Sequence, residues 1–218
     1  MEATKSFDPY EVIGIITPGA LVTLLLASEA PVFRSLLGKD GLSIGDFGLF
    51  VLIAFVFGHL LQALGNMLEF AVWPIAGLPT NRVRTADQTM LTPAQRNTLQ
   101  ALVSSMEGIE TDIATVDRVY WRAITTRAYA RVLAAGRSQR IDISNRAYGL
   151  CRGLVAAILI CLAWYLYAHN DQREVIVILI VMAGAAVWRM RRAGLHYARA
   201  LFLAFIDLDT MAAPTPAA

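Results

Sequence analysis

Charge is scarce in this chain. Only 17% of its 218 residues are Asp, Glu, Lys or Arg, against about 25% in an ordinary soluble domain, and 56% are hydrophobic, against about 45–50%. The apolar residues also fall in blocks, not in amphipathic stripes, which is the pattern of a membrane protein. Cysteine is nearly missing. Cys151 and Cys161 lie ten residues apart on what reads as one helix, about 15 Å of rise and too far to bridge, so neither a disulfide scaffold nor a metal cluster is expected. The chain has no phosphate-cradling glycine loop, no Cys-x-x-Cys, no His-Glu-x-x-His and no Ser or Cys elbow. No enzymatic activity, catalytic residue, cofactor or metal is therefore expected. A basic signal-peptide region is lacking too: "MEATKSFDPYE" sets Lys5 against Glu2, Asp8 and Glu11, so the first apolar block is expected to stay as an anchor.

A spanning helix needs about 20 apolar residues. Four blocks approach that length: Val12–Ala27, Phe47 to about Gly77, about Leu150–Ala168, and Val175–Trp188. Pro18 and Gly19 are expected to kink the first, because proline removes a backbone donor and its ring crowds the preceding turn. The fourth is short, so "RMRR" at 189–192 must snorkel or pack on protein.

Basic residues set the orientation. Residues 78–149 hold ten Arg, Arg152 follows, and four more Arg come after Trp188, whereas the 28–46 loop has Arg34 and Lys39 and "HNDQRE" only Arg173. The positive-inside rule then puts both termini and the central segment in the cytoplasm. Trp164, Tyr165 and Tyr167 fall at the outer end of span three, and Trp73 and Trp188 at inner ends, as aromatic anchors. The expected architecture is all-α and polytopic, with four transmembrane helices and a helical cytoplasmic segment. It divides into a lead-in with spans one and two (1–77), the cytoplasmic helical segment (78–149), spans three and four (150–188) and an amphipathic cytoplasmic tail with a disordered end (189–218).

In the cytoplasmic segment, Thr92 is a natural N-cap with Pro93 at the first helical position. A second helix is expected over "TDIATVDRVYWRAITTRAYARVLAAG", and Asp142 or Ser144 is placed to cap a third that continues into span three. On the middle helix Arg118 and Arg122 share one face, and Arg127 and Arg131 lie nearly opposite. Two solvated faces explain this as well as one pair meeting a partner protein or lipid phosphates. Nucleic acid is not expected as a direct partner: the net charge is only +2, six acids intersperse the same segment, and positive-inside bias already accounts for the arginines. The tail "AGLHYARALFLAFIDLDT" reads as an interfacial amphipathic helix with Leu195, Ala198, Phe202 and Phe205 in register, or as a helix packed into the protein. Arg191 and His196 reproduce a spacing that resembles the Arg-x4–6-His signature of HEPN ribonucleases, although snorkelling accounts for Arg191 unaided.

Span two carries the most informative pattern. In "FGHLLQALGNMLEF", His59, Gln62, Asn66 and Glu69 fall within about 80° of helical arc, with Gly58 and Gly65 beside its edge. The stripe should face away from lipid, because an unsatisfied polar group there costs several kcal/mol. The glycines let another backbone approach closely. Either the stripe glues helices together, at about 0.6–2 kcal/mol per hydrogen bond, or an oligomer gathers copies of it around a hydrated path. Glu69 lies near the cytoplasmic boundary at the depth of Arg152, so these two are expected to pair. His59 is the ionisable group placed well inside the bilayer.

"FDPYEVIGIITPG", "GHLLQALGN" and "ISNRAYGLCRG" together resemble a set of small bacterial multi-pass inner-membrane proteins often encoded beside anti-phage defence genes. In that set an aromatic precedes the Asn of the third motif, where this chain has Ser144 before Asn145. The resemblance implies a bacterial inner-membrane effector or sensor subunit that works with a cytoplasmic protein partner. Joined to the stripe, it predicts a homo-oligomer in the lipid bilayer that perturbs or permeabilises the membrane on a signal. The alternative is a non-conducting anchor or sensor that recruits a soluble partner.

Overall fold

Among the described residues six α-helices form: α1 (Pro9–Glu29), α2 (Ile44–Val72), α3 (Pro93–Glu107), α4 (Arg118–Ala134), α5 (Gln139–Ala168) and α6 (Arg173–Ala212), with a short 3-10 helix at Pro79–Arg84. The computed structural model describes residues 9–31, 33, 44–73, 77–85, 89–108, 110 and 112–212, and no strand occurs among them. Of the end expected to be disordered, "MAAPTPAA", Met211 and Ala212 belong to α6 and the rest lies outside the described residues, as does the lead-in before Pro9.

Three helices are long and apolar enough to cross a membrane: α1 over Val12–Glu29, α2 and α5. The fourth expected span, Val175–Trp188, is the first part of the 40-residue α6. It is apolar and much of it is exposed, with Val177, Ile178, Ile180, Val181 and Trp188 each more than half accessible. Arg189 interrupts it before it reaches the length of the other three.

The chain divides into two compact units, one built from 1–72 and 146–190 and the other from 73–145 and 191–218. The tail, which the sequence reading set apart from the central segment, falls with it in one unit. In the second unit Leu201, Phe202, Phe205 and Ile206 of α6 are buried in the same core as Leu99, Val103, Ile113, Trp121, Ile124 and Val132. Trp121 stacks on Phe202 with ring centroids 5.6 Å apart. The stretch that is apolar all round is thus an interior helix and not an interfacial one. Arg192, His196 and Arg199 occupy its exposed side.

Local chemistry sets the ends of the helices in this unit. Thr92 and Gln95 form a reciprocal capping box at α3, with Pro93 in the first turn, and Gly108 closes the helix in the left-handed conformation at φ 71°. α4 is shorter than its sequence suggests. Asp112 Oδ1 accepts from the Ala114 N–H and turns the chain, and Asp117 Oδ1 accepts from the Val119 and Tyr120 N–H groups, so the helix begins at Arg118. α5 starts at Gln139, ahead of the expected caps. There Asp142 sits in the first turn and accepts from Ser138 Oγ at 2.7 Å and Tyr129 Oη at 2.9 Å. The helix then runs unbroken to Ala168.

In the membrane unit α1, α2 and α5 meet through small residues. A Cβ on Gly19 would lie 1.7 Å from the Ala54 carbonyl oxygen, and one on Gly58 would lie 2.0 Å from that of Ile15. Helix backbones this close gain dispersion contacts that larger side chains would prevent. α1 continues as a helix through Pro18. The ring of Pro18 occupies space left by Gly153, whose hypothetical Cβ would be 3.0 Å from Pro18 Cγ. Thr17 and Thr23 hydroxyls donate to the carbonyls of Ile13 and Gly19, which keeps both satisfied in an apolar setting. Val22, Leu61, Ala156 and Ala157 form the buried centre of this packing.

Candidate membrane-embedded site

The buried edge of α2 runs through Ala54, Gly58, Leu61, Gly65 and Glu69. Gly58 meets α1 at Ile15, and Gly65 meets α5 at Arg152, where its hypothetical Cβ would be 2.7 Å from the Arg152 carbonyl oxygen. The two glycines flanking the polar stripe therefore each receive a different neighbour.

That placement splits the stripe. Glu69 is buried and Gln62 half-buried, packed towards α5 at Gly153. His59 and Asn66 turn outward and are exposed, among Leu52, Phe55, Val56, Met67 and Phe70. The His59 ring stands edge-to-face with Phe55, at a centroid distance of 4.6 Å. Gln62 and Asn66 make no side-chain hydrogen bond among the described residues. The expected single seam divides into two half-stripes, because the close contacts at Gly58 and Gly65 cover the glycine edge of the arc and leave His59 and Asn66 exposed.

At the end of α2 the structure brings Glu69, Tyr148 and Arg152 together. Tyr148 Oη donates to Glu69 Oε1, and Arg152 Nη1 lies 3.4 Å from Glu69 Oε2. The Arg152 guanidinium also sits over the Tyr148 ring, 4.9 Å from its centroid. Tyr148 and Arg152 are four residues apart on α5, so one helix face presents both donors to the carboxylate. Arg152 Nε is buried without a hydrogen-bond partner. The three side chains form a charge-assisted lock between α2 and α5. Tyr148 was not singled out as a partner in the sequence, although its spacing from Arg152 carried that signal.

Beyond the far end of α5, His169 Nε2 lies 3.0 Å from Oε2 of Glu29 on α1. Cys151 and Cys161 are buried free thiols, and no metal-binding group of His, Cys, Asp or Glu occurs among the described residues.

The second unit holds the four arginines of α4. Arg118, Arg122, Arg127 and Arg131 are all exposed, on two flanks of the buried stripe of Trp121, Ile124, Thr125, Ala128 and Val132. Arg127 Nη1 pairs with Glu107 on α3 at 3.1 Å, and Tyr120 Oη donates to the same carboxylate at 2.5 Å. Trp73 is buried, not an interfacial anchor: the guanidiniums of Arg82 and Arg191 stand 5.9 and 5.5 Å from its ring. Arg191 is thereby separated in role from His196, which is exposed.

Two tyrosines in this unit titrate high. The Glu107 hydrogen bond and burial raise Tyr120, and burial with the Asp142 hydrogen bond raises Tyr129. A raised folded-state value means that their contribution is complete below the unfolded tyrosine value of about 10 and is lost as pH rises through the folded value. Near-ultraviolet circular dichroism of the full chain should therefore show a lower unfolding midpoint above about pH 10, and less of a drop in Tyr129→Phe.

No protein-family model, curated protein or solved structure matches this chain.

Proposed function

We propose that the chain is a non-enzymatic membrane effector that assembles in the bilayer and opens or perturbs it when a cytoplasmic protein engages the second unit. One observation carries this reading: the outward face of α2, exposed and otherwise apolar, presents His59 and the unbonded Asn66. A polar amide facing hydrocarbon is costly, and either a second copy of the same face or a hydrated path relieves the cost. The exposed apolar residues of α6 before Arg189 support a fourth span, and the arginine distribution supports cytoplasmic termini. The flanks of α4 that carry Arg118 and Arg122, and Arg127 and Arg131, supply the surface for the partner. By the resemblance of its motifs, the setting is the inner membrane of a bacterium defending itself against phage.

Ion flux from vesicles containing the purified protein, with and without the partner, tests the reading. Asn66→Leu and His59→Leu should each cut the partner-dependent flux at least about tenfold, because each removes a polar ring from the path. Flux absent in every state would favour the second reading, a non-conducting anchor. The observation on that side is the second unit itself, whose core draws on both the 73–145 and 191–218 segments.

A further inference from the structure

Within the membrane unit, α1 and α5 enclose a groove of about 520 Å³ beside the Glu29–His169 pair. Val22, Leu26, Ile160, Ala163, Trp164 and Tyr167 make its walls. Glu29 is the charged side chain that reaches it. Its volume falls within the range of small-molecule sites, roughly 300–1,000 Å³. Both helices end here, α1 at Glu29 and α5 at Ala168, and Tyr167 is largely exposed at the mouth. An apolar slot that closes on a carboxylate at the end of two membrane helices matches an amphiphile lying along them.

We propose that this groove holds one acyl chain of an aminophospholipid, with the lipid's primary ammonium on Glu29. Three features select that occupant. The walls are apolar and sit where bilayer chains are the surrounding solvent, so a chain can enter without desolvating any polar group. The carboxylate at the end attracts an ammonium and repels a headgroup that carries phosphate alone. Glu29 spends Oε2 on His169 and makes no other side-chain hydrogen bond among the described residues, which leaves Oε1 for the incoming cation. The imidazole in turn fixes the direction of the carboxylate, and the Tyr165 ring, 5.4 Å away, packs against that imidazole. A slot between two helices suits a single chain better than a second copy of the protein, which would need a broad face.

Native mass spectrometry of the full-length protein, released from vesicles of phosphatidylethanolamine and phosphatidylglycerol, provides the test. The wild type should keep one phosphatidylethanolamine per chain. Ala163→Phe, which fills the groove, should lower that retention roughly tenfold, whereas Ala185→Phe on exposed α6 should not. Glu29→Gln should still keep a lipid but without preference between the two headgroups. The proposal is overturned if Ala163→Phe retains the lipid as well as the wild type, if the retained molecule is a free fatty acid, or if only a second protein chain is found. A second measurement does not depend on that variant folding. Chain-brominated phosphatidylethanolamine should quench the Trp164 component of the fluorescence, taken as the difference from Trp164→Phe, several-fold more than brominated phosphatidylglycerol does. Equal quenching by the two lipids overturns the headgroup assignment.

Discussion

Gly58→Ala should unfold the membrane unit at a markedly lower temperature or denaturant concentration, by about 3 kcal/mol or more, even though alanine is the better helix former by about 1 kcal/mol. The added Cβ would stand 2.0 Å from the carbonyl oxygen of Ile15 and 2.7 Å from its carbon, both backbone atoms of α1 that cannot rotate away. Ordinary contact begins at 3.4 Å, so α1 and α2 would have to separate. The reciprocal contact, Gly19 on Ala54, is tighter still, and separation at one point loosens the other. Gly48→Ala on the same helix is the control, because a Cβ there meets nothing within 4 Å. It should leave the midpoint unchanged or raise it slightly. If Gly58→Ala and Gly48→Ala behaved alike in detergent unfolding, the close approach of α1 to α2 would be wrong.

The same contact explains what could and could not be read in advance. Helical arithmetic placed four polar side chains within one arc and two glycines at its edge. It could not say which part of that arc a neighbour would cover. The answer depended on α1 and α5 both docking on the glycine side, at Ile15 and Arg152, and that is a tertiary fact. Pairing Glu69 with Arg152 needed only matched depth on two helices of known direction, and such matching is legible. The capping box at Thr92 was legible for a similar reason, since its chemistry is complete within four residues. The turn at Asp112–Asp117 was not. A helical period ran through it, and only the backbone hydrogen bonds captured by two aspartates decided against the helix. The tail posed the opposite difficulty. "LFLAFI" is apolar on every side, and composition alone cannot tell burial in lipid from burial against Trp121.

Arg152→Met should cost about 3 kcal/mol, and Glu69→Leu a similar amount, yet the double variant should be more stable than either single one. The asymmetry follows from the shared carboxylate. Without Arg152, the Glu69 carboxyl group is left in an apolar packing with the Tyr148 hydroxyl as its one partner among the described residues. Without Glu69, a guanidinium whose Nε already lacks a partner loses its anion as well. Removing both leaves a packing defect and no buried charge, which is the cheaper state. Glu69→Gln should be the mildest change, because the amide oxygen still accepts from Tyr148. Unfolding midpoints of the four proteins close a double-mutant cycle, and additive losses would mean that the 3.4 Å contact contributes no coupling. The double variant also bears on the proposed opening of the membrane. α5 runs from Gln139, in the second unit, to Tyr148 and Arg152, in the first. A lock that restrains opening should, once removed, let vesicles leak without the partner. A stable, tight double variant would confine Glu69 and Arg152 to holding α2 against α5.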